Sequence, residues 1–327
     1  MSQTVRSIRY AGMPYLDRTP YLGAGTDLQV DMVPFGDVQD LFRRQARGAE
    51  FESSELSLST FIVMLSAGDT RFVGLPVFPS RSFRHRTLYV NERSGITSPR
   101  ELRGARVGVP EYQMTAALWV RGMLADEYDV QPGDIDWYTG GLAEPGYRPR
   151  MNVDLPSDVR LTVIPEDKTL FSMLADGELD ALCSVIPPDL ENQPTVRPLF
   201  SDPAAAEREY FQRTGLFPIM HLVVLRRDLY ETDPSLAAAL ADAFLAAKRI
   251  GQARLRRLDC LAVEIPWLGD ALADVDTVFG GDAFPYGVAP NRGNLEKVLE
   301  YSYRQGLAQR KVDVEELFAP EAVAVLG

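Results

Sequence analysis

The amino-acid sequence predicts a two-lobed α/β protein with a ligand cleft between its lobes, and three observations predict it. Strand-like and helix-like segments alternate as far as the strand His221–Leu225, the pattern of a sheet served by crossover helices. Beyond that strand the chain turns mostly helical, without strands enough for a fresh sheet. With 327 residues, 46% hydrophobic and 24% charged, the chain can bury at least one large core and is long enough for two domains. Two α/β units joined by two crossings leave a cleft at their interface, where ligands usually bind.

Ser7–Ala11 opens as a strand, and Leu28, Val30 and Met32 alternate with Gln29 and Asp31 in a second. Asp37 is placed to cap a helix from Val38 to Arg47. Glu55–Ser59 leads into the apolar stretch Phe61–Leu65, and Arg71–Phe78 and Thr87–Asn91 follow as strands. The first lobe is therefore expected to fill residues 1–92 and to be completed by 220–327, with the second lobe at 93–219.

In that second unit a helical turn at Pro99–Ala105 precedes the strand Arg106–Val109. A helix over 113–128 places Ala117, Val120 and Leu124 on one face. Strands at Ile135–Tyr138, Leu161–Pro165 and Ala181–Ile186, a helix at Thr169–Ala175, and a Gly- and Pro-rich loop at 140–156 complete the unit. After the returning strand, Leu236, Leu240 and Phe244, then Leu295, Val298 and Leu299, have helical spacing. These helices are expected to cover the first lobe.

Composition narrows the function. The net charge of −12 argues against a nucleic-acid partner, because that binding relies on Lys and Arg neutralising phosphates. No run approaches the roughly 18 apolar residues of a membrane span. The N-terminus lacks the apolar core and cleavage site of a secretory signal, so a cytoplasmic location is expected. Cys183 and Cys260 lie in unrelated segments without CxxC spacing, suggesting neither a disulfide framework nor a zinc site. GxGxxG, GxxxxGK[ST], GxSxG and HExxH motifs are all missing, which leaves nucleotide binding and serine or zinc hydrolysis without support.

The stretches Phe78-Pro79-Ser80-Arg81-Ser82-Phe83-Arg84-His85 and Arg106-Val107-Gly108-Val109-Pro110-Glu111-Tyr112-Gln113-Met114-Thr115-Ala116 resemble the 4,5-dihydroxyphthalate decarboxylase family. Ser54–Ser59 and Phe284–Arg292 match more weakly, and the resemblance runs from about residue 26 to 318. It implies a type II periplasmic-binding-protein-like fold put to enzymatic use, converting 4,5-dihydroxyphthalate to protocatechuate and carbon dioxide. The implied partner is a small aromatic dicarboxylate. Homo-oligomerisation stays open.

Ser80–Arg86 concentrates three arginines and a histidine in an otherwise acidic chain. Arginine's planar fork suits carboxylates, so Arg81 and Arg84 are expected to clamp the substrate, the alternative being a solvated basic loop. Arg86 is left open, because strand alternation would point it away from its neighbour. The strand-to-helix junction holding Glu111, Tyr112, Gln113 and Thr115 would present free backbone N–H groups to an anion. Ser57 and Ser59 follow Glu55 at period two, so one face of an extended segment would carry a carboxylate and two hydroxyls.

Decarboxylation needs a proton delivered to the carbon bearing the departing carboxylate. His85 is expected to be that donor, with His221 second, since the chain has only these two histidines. Glu55 would orient a histidine, accept a phenol proton or pair with an arginine. Asp17 and Arg18, at the carboxyl end of the first strand, and Asp282 and Tyr286, from the C-terminal segment, are further substrate-binding candidates. The hydroxylated ring can serve as its own electron sink, so no cofactor is expected. A metal held by His85, His221 and Glu55 is the alternative.

Two rival functions share the fold. One is a solute-binding protein or ligand sensor, which the lack of a secretory signal disfavours as a transporter component. The other is a different enzyme, such as those of the futalosine pathway or the thiamine pyrimidine synthase, whose histidine-rich character is not seen here.

Overall fold

The computed structural model describes residues 6–146 and 149–327. Eleven strands among them form two sheets: β1 (Arg6–Gly12), β2 (Leu28–Pro34), β3 (Ser53–Ser57), β4 (Phe72–Arg81), β5 (Leu88–Asn91), β6 (Arg106–Val109), β7 (Asp136–Thr139), β8 (Arg160–Val163), β9 (Ala181–Cys183), β10 (Val196–Pro198) and β11 (Ile219–Arg226). The first sheet has the order β2-β1-β3-β11-β4 and the second β10-β5-β9-β6-β7-β8. The helices are α1 (Val38–Gly48), α2 (Leu58–Ser66), α3 (Thr115–Tyr128), α4 (Leu170–Asp176), α5 (Pro203–Thr214), α6 (Arg227–Thr232), α7 (Ser235–Leu255), α8 (Leu268–Phe279), α9 (Arg292–Arg304) and α10 (Pro320–Leu326).

Local sequence explains most of these elements. The Asp37 carboxylate accepts from the Gln39 amide at 2.8 Å and starts α1. Helix α2 is buried on every side, which erases the polar–apolar period that would announce it. Its start is set by Ser57, whose hydroxyl accepts from the Thr60 amide. Strand β3 therefore ends at Ser57, and Ser59 lies in the first turn of α2 rather than on an extended face with Glu55.

The crossing between lobes comes earlier than residue 92. Strand β5 pairs with β9 and β10 in the second sheet, so the chain changes lobe in the turn between Arg81 and Leu88. It returns just before β11, and the Ser82 amide donates to the Pro218 carbonyl at 3.1 Å, holding the two crossings side by side. The C-terminal helices also do more than cover the first lobe. Helices α7 and α10 pack on β4, but α9 packs on both α2 and α3 and so spans the two lobes. Phe279 of α8 stacks on Phe211 of α5, which belongs to the second lobe.

One glycine sets how closely the loop after β1 can approach. A Cβ on Gly251 of α7 would lie 1.4 Å from the Asp17 carbonyl oxygen, a backbone atom that cannot rotate away. Gly251→Ala is expected to lower stability by about 1–3 kcal/mol through overpacking, seen as a lower urea midpoint. No helix among the described residues is long and apolar enough to cross a membrane.

Candidate active site

Strand pairing builds the centre of the site. Antiparallel pairing sets Ser57 opposite His221 and Glu55 opposite Val223, so Glu55 and His221 are diagonal neighbours on one face of the sheet. The His221 Nδ1 lies 2.6 Å from Glu55 Oε1. The carboxylate is 0% exposed, and its other donors are the Tyr15 hydroxyl, at 2.5 Å to Oε1, and the Met13 amide, at 3.1 Å to Oε2. With Nδ1–H given to Glu55, Nε2 is the nitrogen left for a ligand. On its other side β11 pairs irregularly with β4 on both flanks of His221, the kind of bulge that re-aims a side chain beside a site.

His221 lines a cavity of about 220 Å³ between the lobes. The first lobe contributes Phe42, Ser57, Ser80 and Met220, and the second contributes Met114, Thr115, Arg150 and Val185. Ser57 and Thr115 join hydroxyls across the lobes at 2.8 Å, and the Ser59 amide donates to Thr115 Oγ1 at 3.0 Å. Helix α3 starts here behind Met114, which has no side chain able to cap it. Its first amides and its dipole favour an anion.

Two guanidinium groups reach the cavity. Arg84 is 7% exposed and forms no ion pair among the described residues; its Nε points at Met220 Sδ, 3.1 Å away. Burial pulls its pKa down to about 10, leaving it charged at neutral pH. A buried cation without a counter-ion is costly, and an anionic ligand would supply one. Arg150 is anchored instead: the Glu111 carboxylate accepts from its main-chain amide at 2.8 Å and from its Nε, and its guanidinium lies 5.5 Å from the Phe42 ring centre.

The other expected site residues disperse. Arg81 donates to the Phe217 and Pro285 carbonyls and to Asn291, tying the crossings to the C-terminal segment, and does not line the cavity. His85 lies in the second-lobe core between Phe200 and Tyr210, with ring centres 5.1 and 5.2 Å away. Burial lowers its pKa to about 4, so it is neutral there. Arg86 pairs with Glu207. Glu111 serves Arg150, and the Tyr112 ring lies beneath Arg121 at 3.7 Å. Gln113 is buried, its side-chain nitrogen without a partner among the described residues.

Arg18 pairs with Asp17, reaches the Tyr286 hydroxyl at 3.5 Å and lies over the Tyr15 ring, which places it behind Glu55. Asp282 pairs with Lys248, and Asp17 and Asp282 line a different cavity, of about 660 Å³, between α7 and α8. Among the described residues no three His, Cys, Asp or Glu side chains converge as a metal site. His85, His221 and Glu55 therefore form no such set.

Sequence reasoning missed Tyr15, Phe42, Ser80, Arg150 and Met220. Ser80 sits inside the arginine-rich motif and could have been found there. Arg150 stands in the Gly- and Pro-rich loop, where only its charge distinguishes it.

Two α/β lobes joined by a double crossing define a periplasmic-binding-protein-like scaffold, here furnished with a carboxylate–imidazole pair in the cleft. Its fold is similar to that of the periplasmic sulfonate-binding protein SsuA from Methylobacillus flagellatus KT, with a TM-score of 0.54, 15% identity, and coverage of 98% of this chain and 94% of that one. No family model matches the chain. It is 38% identical over 303 residues to the 4,5-dihydroxyphthalate decarboxylase of Comamonas testosteroni, covering 91% of this chain and 92% of the relative. It is 40% identical over 178 residues to the enzyme of the same name from Pseudomonas putida, covering 54% of this chain and 69% of the relative. The chain belongs to the 4,5-dihydroxyphthalate decarboxylase family.

Proposed function

We propose that this protein decarboxylates 4,5-dihydroxyphthalate to protocatechuate, with His221 as the proton donor. The observation that carries the reading is one cavity shared by a carboxylate-held imidazole and an uncompensated arginine. Arg84 and the start of α3 would hold the carboxylates, with Arg150 alongside. At about 220 Å³ the cavity is below the roughly 300–1,000 Å³ of larger ligand sites, which suits a single ring.

In this mechanism the protonated His221 gives its Nε2 proton to the ring carbon bearing one carboxylate. The hydroxyl para to that carbon feeds electron density into the ring, making the intermediate dienone-like. The bond to the carboxylate then breaks, its electron pair returns to the ring, and carbon dioxide leaves. The proton stays on carbon, and the imidazole is reprotonated from solvent. Glu55 orients the ring and stabilises its charged form, and the buried Phe42, Met114 and Met220 keep water from competing.

Incubation of the purified protein with 4,5-dihydroxyphthalate is expected to yield protocatechuate and carbon dioxide in equal amounts. Saturable binding without turnover would overturn the catalytic reading in favour of a ligand sensor.

A further inference from the structure

A buried carboxylate that receives three hydrogen bonds is an uncommon partner for an imidazole, and the arrangement of donors matters. Oε1 of Glu55 is shared by the His221 ring and the Tyr15 hydroxyl, while Oε2 takes the Met13 amide. Among the described residues Glu55 pairs with no lysine or arginine, and the His221 ring is the basic group it faces. The backbone and ring of Tyr15 are held in place from several sides. The Tyr15 amide donates to the Met13 carbonyl and the Thr19 amide to the Tyr15 carbonyl, each at 2.9 Å. The Arg18 guanidinium lies 4.8 Å from the ring centre. Burial first, and then the Glu55 charge, push the Tyr15 hydroxyl well above the usual phenol range, so it is a neutral donor near neutral pH.

We infer that Tyr15 is a positioning residue that sets how tightly Glu55 holds the protonated ring of His221, and thereby the pH at which the cleft carries its acid. The two donors compete for one oxygen. Withdrawing the hydroxyl leaves more of the carboxylate's charge to the imidazolium and strengthens that bond. Among the described residues, the other charged groups near the pair are Arg84, which touches Met220, Arg150, across Phe42, and, behind Glu55, Arg18 with its partner Asp17, and none of these is altered by the substitution. Tyr10 lies near Glu55 as well, and burial keeps its hydroxyl neutral. The consequence for turnover rests on the reaction proposed above; the effect on the ring does not.

The test is an NMR titration of the imidazole signals in the full-length protein. With only two histidines the spectrum is assignable, and buried His85 reports that the fold is intact. Tyr15→Phe is expected to raise the His221 midpoint relative to wild type by about half to one pH unit, the size of one modest hydrogen bond. Glu55→Gln is expected to lower it. Incorporating 3-fluorotyrosine at Tyr15, a stronger donor with the same shape, is also expected to lower it, and this variant tests the inference even if Tyr15→Phe folds poorly. The basic limb of kcat/KM should follow each midpoint while KM changes little. A midpoint in Tyr15→Phe that is unmoved or lowered, as a merely structural loosening of the pair would give, overturns the inference. Wild-type protein that fails to turn over 4,5-dihydroxyphthalate yet shows these midpoint shifts would remove the proposed reaction and leave the role of Tyr15 standing.

Discussion

His221→Asn is expected to lower kcat by about 10²- to 10⁴-fold, the usual contribution of a positioned general acid, with substrate affinity changed little. Asparagine can still meet the Glu55 carboxylate, but it carries no proton to deliver. The groups expected to hold the substrate, Arg84 and the start of α3, are untouched by the change, so the loss should appear in kcat rather than KM. Glu55 would also lose its imidazole partner while remaining buried, so circular dichroism and a denaturation curve should accompany the kinetics. His85→Asn is the contrasting variant. That ring packs between Phe200 and Tyr210 outside the cavity, and its replacement should lower stability while leaving kcat within a few-fold of wild type. Retained turnover in folded His221→Asn, or its loss in folded His85→Asn, would reverse the assignment.

Arg84→Met should separate function from stability. The guanidinium is buried beside Met220 and forms no ion pair among the described residues, so the free protein bears much of its desolvation cost. An apolar side chain of similar length removes that cost, and replacing buried charge with well-packed apolar groups can stabilise by about 1–4 kcal/mol. The same change removes charge-assisted hydrogen bonds to a carboxylate, each worth about 1.5–3 kcal/mol, or roughly 10- to 150-fold in affinity. A higher melting temperature without ligand, coupled to weaker binding measured by calorimetry, is the expected pair of results. A destabilised variant that binds as well as wild type would show that Arg84 supports the fold and not the ligand. Arg81→Met should behave differently, because that guanidinium is engaged by two carbonyls and Asn291; its loss should destabilise the protein outright.

Much of the architecture was legible locally. The run Arg106–Val109 reads as a strand and is β6, and Asp37 reads as a cap and caps α1. These features are set by neighbours in the chain, through side-chain alternation and capping chemistry. The arginine-rich stretch also supplies two residues to the cavity's lining, Ser80 and Arg84. What could not be read was which of its members would face inward. The stretch runs from strand β4 into a tight turn, where neither period two nor period 3.6 applies. Three successive arginines therefore take separate partners: carbonyls and Asn291 for Arg81, the cavity for Arg84, and Glu207 for Arg86.

The sequence by itself determined two α/β units, their order and the family resemblance, because alternation, caps and motifs are written in adjacent residues. Only the tertiary structure decided that Glu55 would meet His221, which is 166 positions away, and that Tyr15 and Arg150 would join them. Those meetings depend on antiparallel register, on a bulge beside His221 and on a loop reaching across the cleft. Each is fixed by long-range pairing and packing, which leave no periodic trace in the residues themselves.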